Sequence, residues 1–227
     1  MPLRFQNLIL LQYLNLNDCM AQTIFYIIIG ILLFDFILER ILDYLNSTYW
    51  SSKIPLELEG IYDPEKYKKS QDYERVKTRF SILTSSVSLA AMLLILWVDG
   101  FAWLDEFARG YTQNPIIVAL IFFGVVGLAA DLFSTPFSVY STFVIEERFG
   151  FNKTTPKTFV LDKLKGWVLA AILGGGILAL IVWIYLISGE WFWLIAWAVI
   201  GLFTIFMTMF YSNIIVPLFN KQTPLED

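Results

Sequence analysis

Five stretches of this 227-residue chain each carry about 20 apolar or small residues with few or no charges, the length that crosses roughly 30 Å of hydrocarbon at 1.5 Å per residue. They lie at about 23–45, 80–98, 116–142, 167–187 and 191–212. Inside a bilayer every backbone N–H and C=O must find its partner within the chain. A run of this kind is therefore either a helix or a strand of a closed barrel. Barrel strands alternate apolar and polar residues, and no such alternation appears in these stretches. The expectation is an all-α integral membrane protein with about five transmembrane helices. Composition agrees: 57% of residues are hydrophobic and 16% charged, against roughly 45–50% and 25% in soluble domains. The lipid bilayer is thus the first partner.

The basic residues suggest an orientation. Between the first two stretches lie Lys53, Lys66, Lys68, Lys69, Arg75, Lys77 and Arg79, and between the third and fourth lie Arg148, Lys153, Lys157, Lys163 and Lys165. The alternate connections hold only Arg109, beside Asp99, Asp105, Glu106 and Glu190. The N-terminus is expected outside and the C-terminus cytoplasmic. Ser188-Gly189-Glu190 makes the last two stretches an antiparallel hairpin. Residues 1–21 read as an N-terminal extension too mixed for a span, with a start at Met20 as the alternative.

The chain has no histidine and one cysteine, Cys19. Helical zinc hydrolases need two histidines a turn apart, and serine or cysteine hydrolases usually need an imidazole base. No catalytic residue and no metal ligand is expected in this chain, and no cofactor. A net charge of -4 argues against nucleic acid as a partner.

Intramembrane acids are the remaining candidates, since a carboxylate in hydrocarbon faces either protein or water. Asp35 and Glu39 are one helical turn apart and Asp43 continues their face, with Arg40 about 100° round from Glu39. They line a polar cavity, or the first helix surfaces early and leaves them in water. Asp131, roughly four turns into the third stretch, lines a cavity or bonds a neighbouring helix. Ala171, Gly175 and Ala179 form a small-residue stripe that lets another helix approach closely. Pro136 kinks the third helix unless the helix ends there. Thr155-Pro156 opens a further helix, read as interfacial, through Phe159, Leu161 and Leu164.

Three strings carry a resemblance: "LEGIYDPEKYKKSQDYERVKTRFSI", "YSTFVIEERFGFNKTTPKTFVLDKLKG" and "NIIVPLFNKQTPLED". Together, and in this order, they resemble the membrane-embedded N-terminal region of the zinc-dependent CAAX prenyl proteases, over about residues 22–227. The resemblance implies an intact zinc metalloendopeptidase whose helices enclose a water-filled chamber and whose substrates are prenylated or membrane peptides. In that family the H-E-x-x-H helix lies downstream of the segment matched by "PLFNKQTPLED". The catalytic zinc domain is therefore expected outside residues 22–227, as a C-terminal half with which this chain would partner. Asp35, Glu39 and Asp131 would line the chamber. Glu146, Glu147, Arg148, Phe149, Gly150, Phe151 and Asn152 would form a structural loop, and Asn213, Pro217 and Asn220 would lead into the protease domain. The expected location is a bacterial cell membrane, or an ER-type membrane in a eukaryote. A non-catalytic scaffold or lipid-binding module of the same fold is the alternative function. A small transporter using Asp35 and Asp131 is a weaker one, because no inverted repeat is visible.

Overall fold

The computed structural model describes residues 3–48, 50, 51, 54, 60 and 63–219, and all of its regular structure is helical. The chain divides into two units, residues 1–99 and 100–227. The first unit holds α1 (Leu3–Thr48) and α2 (Pro64–Trp97), packed against each other. The second holds α3 (Gly100–Tyr111), α4 (Pro115–Tyr140), α5 (Pro156–Leu169), α6 (Gly175–Ser188), α7 (Phe192–Phe210) and α8 (Val216–Phe219).

Helix starts follow a repeated device. Asp63, Asn114 and Thr155 each stand in extended backbone before a proline at the first helical position. Asp63 Oδ1 accepts from the N–H groups of Glu65 (2.8 Å) and Lys66 (3.1 Å), and Asn114 Oδ1 accepts from Ile116 (2.9 Å) and Ile117 (3.4 Å). Thr155 Oγ1 accepts from Thr158 N–H at 3.2 Å. Proline lacks an N–H that would be orphaned there in any case, so cap and proline together leave few unpaired donors.

Three π-helical turns, Ser141–Glu146, Ala170–Gly174 and Tyr211–Ile215, interrupt these helices without ending them. Through the second, α5 runs directly into α6. The segment after Thr155 is therefore the first three turns of a long helix rather than a separate interfacial one. The cause is the absence of a breaker: Gly166 stays helical, and continuing keeps every backbone group bonded. Likewise α2 begins at Pro64, so much of the basic connection before Arg79 is already helix. Pro136 does not end α4, which continues to Tyr140 and on through the π turn. In the turn of α4 just before Pro136, the hydroxyls of Ser134 and Thr135 both donate to the carbonyl of Asp131, at 3.0 and 2.7 Å. One helix was not expected. α3 turns Leu104 and Ala108 into the protein, and Asp105 accepts from Arg109 at 2.7 Å on its outer side. That hydrogen bond pushes the Arg109 guanidinium further up from its already high pKa.

Four helical stretches are long and apolar enough to cross a membrane: Met20–Thr48, Pro64–Trp97, Pro115–Glu146 and Pro156–Phe219. The last is 64 residues long and is divided at Gly189–Trp191. Gly189 there adopts φ +51 and ψ −126, which a side chain would resist. Across this break Tyr185 meets Phe192 edge to face at 5.2 Å, and α6 packs on α7. The buried residues among those described are all apolar: Leu104, Ala108, Val118, Ile145, Phe149, Ile184 and Ala196. Large apolar side chains such as Trp197 (73% exposed) and Leu202 (68%) point outward. In water that surface would drive aggregation, whereas in a bilayer it meets chains as apolar as itself. The protein is a multi-pass membrane protein.

Candidate functional site

The polar residues that matter in the second unit converge on α5. Asp131, at mid-length on α4, accepts from Lys163 Nζ on both carboxylate oxygens, at 2.7 and 2.8 Å. Its Oδ2 also accepts from Trp167 Nε1 at 3.0 Å. Lys163 and Trp167 are one turn apart on α5, so they present their donors on one face. The three side chains form a pin between two helices that are 32 or more residues apart in sequence. The Asp131 side chain remains 36% exposed and that of Lys163 20%. A charged acid deep in a span is thus neutralised by a partner that enters the membrane on a continuous helix.

A tightly built turn connects the helix that carries Asp131 to α5. Glu146, Glu147 and Arg148 close the helix, and Gly150 follows at φ +67. Phe151 N–H donates to Glu146 O at 2.9 Å and Gly150 N–H to Glu147 O at 3.0 Å. This pair of bonds is the Schellman arrangement, which satisfies the last carbonyls of a helix and favours glycine at the left-handed position. Asn152 then donates from Nδ2 to Glu147 Oε2 at 2.9 Å and accepts from Thr154 N–H at 2.7 Å, so it ties the helix end to the cap of α5. Phe149 and Ile145 are buried beneath, and Phe143 meets Phe159 edge to face at 5.7 Å. Arg148 lies over the Phe149 ring at 5.7 Å. A Gly150→Ala substitution puts a side chain into left-handed backbone and is expected to cost about 1 kcal/mol. Thermal unfolding in detergent should show a midpoint lower by about 2–4 °C, and an unchanged midpoint would refute this account of the turn.

The C-terminal residues described are held from α5 as well. Lys165 Nζ donates to Leu218 O at 2.9 Å and sits over the Phe219 ring at 5.5 Å. Asn213 lies exposed in the third π turn and Pro217 within α8, while Asn220 falls outside the described residues. Sequence reasoning had no signal for the Lys165 tether, because a carbonyl acceptor leaves no mark on residue identity.

The acids of α1 have a different setting. Asp35 and Glu39 are exposed, and Glu39 and Asp43 each lie 3.2 Å from the Arg40 guanidinium. Asp35 and Glu39 belong to the first unit and Asp131 to the second. Zinc requires three or four convergent ligands from His, Cys, Asp or Glu. Among the described residues no three such side chains converge, and the sequence has no histidine, so these residues do not fit that metal.

Comparison with known proteins decides the family. Residues 44–221 match the family described as CAAX prenyl protease N-terminal, five membrane helices. The chain belongs to the CAAX prenyl protease family. The probable CAAX prenyl protease 1 of Schizosaccharomyces pombe is 35% identical over 188 residues, covering 77% of this chain and 40% of that protein. The CAAX prenyl protease 1 homolog of Arabidopsis thaliana is 33% identical over 208 residues, covering 88% and 49%. The crystal structure of Ste24p from S. mikatae superposes with a TM-score of 0.78 at 33% identity, over 89% of this chain and 49% of that one. The chain therefore spans about half the length, or somewhat less, of the relatives it matches. The family's five membrane helices agree with the count expected from the apolar stretches.

Proposed function

We propose that this chain is the membrane-embedded N-terminal part of a CAAX prenyl protease-like zinc metalloendopeptidase and forms part of the wall of its intramembrane chamber. The observation that carries this reading is the family match over residues 44–221, together with a superposition on Ste24p that covers about half of that protein. Zinc and the catalytic groups would belong to the other half of the intact enzyme, since no residue described here fits the metal. Prenylated peptides would be the substrates, as the names of the relatives suggest.

Within that frame the chain's residues hold and position. The Asp131–Lys163–Trp167 pin fixes α4 to α5. The still-exposed edge of the Asp131 carboxylate would face the water of the chamber, as would Asp35 and Glu39. The turn from Glu146 to Asn152 would brace the end of the bundle. Asn213, Pro217 and Asn220, with α8 anchored by Lys165, would set the angle at which the protease half leaves the membrane. Residues 22–227 would form this membrane region, with 1–21 as an extension ahead of it.

Two measurements test the proposal. The purified 227-residue chain, given zinc and a farnesylated peptide, is expected to show no chelator-sensitive cleavage. The coding sequence beyond Asp227 is expected to encode H-E-x-x-H within about a hundred codons, in frame or after a frameshift. Cleavage by the chain alone, or a downstream region without that motif, would overturn the reading and favour a non-catalytic membrane module.

A further inference from the structure

The first unit contains a feature that the protease reading does not use. A cleft of about 500 Å³ opens between α1 and α2, lined by Arg40, Arg75, Arg79, Asp43, Trp50 and Ile82 together with three hydroxyl-bearing side chains. Three guanidinium groups thus face one carboxylate across the lining. Two further acids lie close by: Glu39 takes one edge of Arg40 at 3.2 Å, and Asp72 approaches Arg75 only to 3.8 Å. Arg79 has no ion-pair partner among the described residues. Behind it, Arg40 Nε and Nη1 are shut off from solvent and make no hydrogen bond. Asp43 Oδ2 lies 3.2 Å from Nη1 but off its donor axis. Donors buried in this way are costly. Glu39 and Asp43 compensate the Arg40 charge, so Arg75, whose carboxylate partner stands at 3.8 Å, and Arg79 are the cations that can meet a ligand.

The cleft lies where both helices change character. Arg79 immediately precedes the apolar run of α2 that begins at Phe80, and Arg40 follows the apolar run of α1. A ligand seated here meets the guanidinium groups together with the Trp50 indole and the Ile82 side chain. Guanidinium forks match phosphate oxygens in pairs, and indole rings favour the headgroup layer.

We propose that this cleft binds an anionic phospholipid headgroup, with Arg75 and Arg79 as the direct donors. A free phosphate shares the anionic chemistry but gains nothing from the Trp50 and Ile82 side chains, so the lipid is the expected source.

Native mass spectrometry of the delipidated chain in detergent tests this with added 1-palmitoyl-2-oleoyl phosphatidylserine or the matching phosphatidylcholine. Phosphatidylserine is expected to be retained about tenfold more strongly, the scale of one charge-assisted contact. The R75Q/R79Q variant should fall to the phosphatidylcholine level. K66Q/K68Q, which removes the same charge from the same helix outside the cleft, should keep the preference. Should the double variant lose its helical circular dichroism, R79Q alone carries the test, because Arg79 forms no ion pair with any described residue that the substitution would break. Equal loss in K66Q/K68Q would show general surface attraction and overturn the proposal. Displacement of the lipid by millimolar inorganic phosphate would overturn it in favour of a free-phosphate site.

Discussion

Replacing Asp131 by leucine is expected to lower the thermal midpoint of the detergent-solubilised protein by about 4–8 °C, the equivalent of about 2 kcal/mol in a chain of this size. The substitution removes the acceptor for three hydrogen bonds at once. It leaves the Lys163 ammonium and the Trp167 N–H facing an apolar neighbour. Fully buried pairs cost more when broken, but these side chains keep 20% and 36% exposure, so some water or headgroup remains to solvate the stranded charge. The partner experiment separates a stranded charge from lost packing. D131L/K163L should recover more than half of the loss, since removing both members of an ion pair costs far less than removing one. Trp167→Phe, which deletes a single neutral donor, should cost only about 1 kcal/mol. A D131L protein that melts with the parent would show that α4 and α5 do not depend on this contact.

Gly175→Phe is expected to destabilise by about 2–3 kcal/mol, while Gly175→Ala should be neutral within about 0.5 kcal/mol or slightly stabilising. A methyl group built on Gly175 would sit 3.7 Å from Leu120 Cδ2 of α4, an ordinary van der Waals distance. There is room for that methyl and for little more, so a phenyl ring must push α6 away from α4 or displace Leu120. Helix association in lipid rests on such close packing, because burial of apolar surface supplies no drive there. Thermal scans and size-exclusion profiles of the two variants make the comparison. A phenylalanine variant as stable and monodisperse as the parent would mean that α4 and α6 can separate freely at this point.

The helices were legible in the sequence because a bilayer makes stringent local demands. A run of about 20 apolar residues has few alternatives to a membrane helix, and this argument requires no knowledge of distant contacts. Thr155-Pro156 announced a helix start in the same local way. Asp63-Pro64 carried the same signal, but the basic residues after it suggested a loop, and α2 begins there. α3 went unseen because twelve residues with a single inward face are too short to stand out. The fate of Thr155–Gly166 was misread for a related reason. Cap and proline mark where a helix begins, but nothing local states where the following π turn lets it continue.

Asp131 shows where local reading stops. Its depth in an apolar run established that it must face protein or water, since the cost of lipid exposure follows from residue type and position alone. Which of those it faces depends on whether a donor elsewhere in the chain reaches it. Lys163, read as one of several basic loop residues, supplies that donor because α5 is continuous with the membrane helix and packs beside α4. Membrane residence, the count of five membrane helices and the absence of imidazole chemistry in these residues therefore come from the sequence by itself, through solvation and residue inventory. The pin on Asp131, the Lys165 tether on α8 and the arginine-lined cleft of the first unit come only from the tertiary structure. Each joins residues on separate helices, and a hydrogen bond or a cleft between helices is decided by packing geometry that one-dimensional periodicity does not carry.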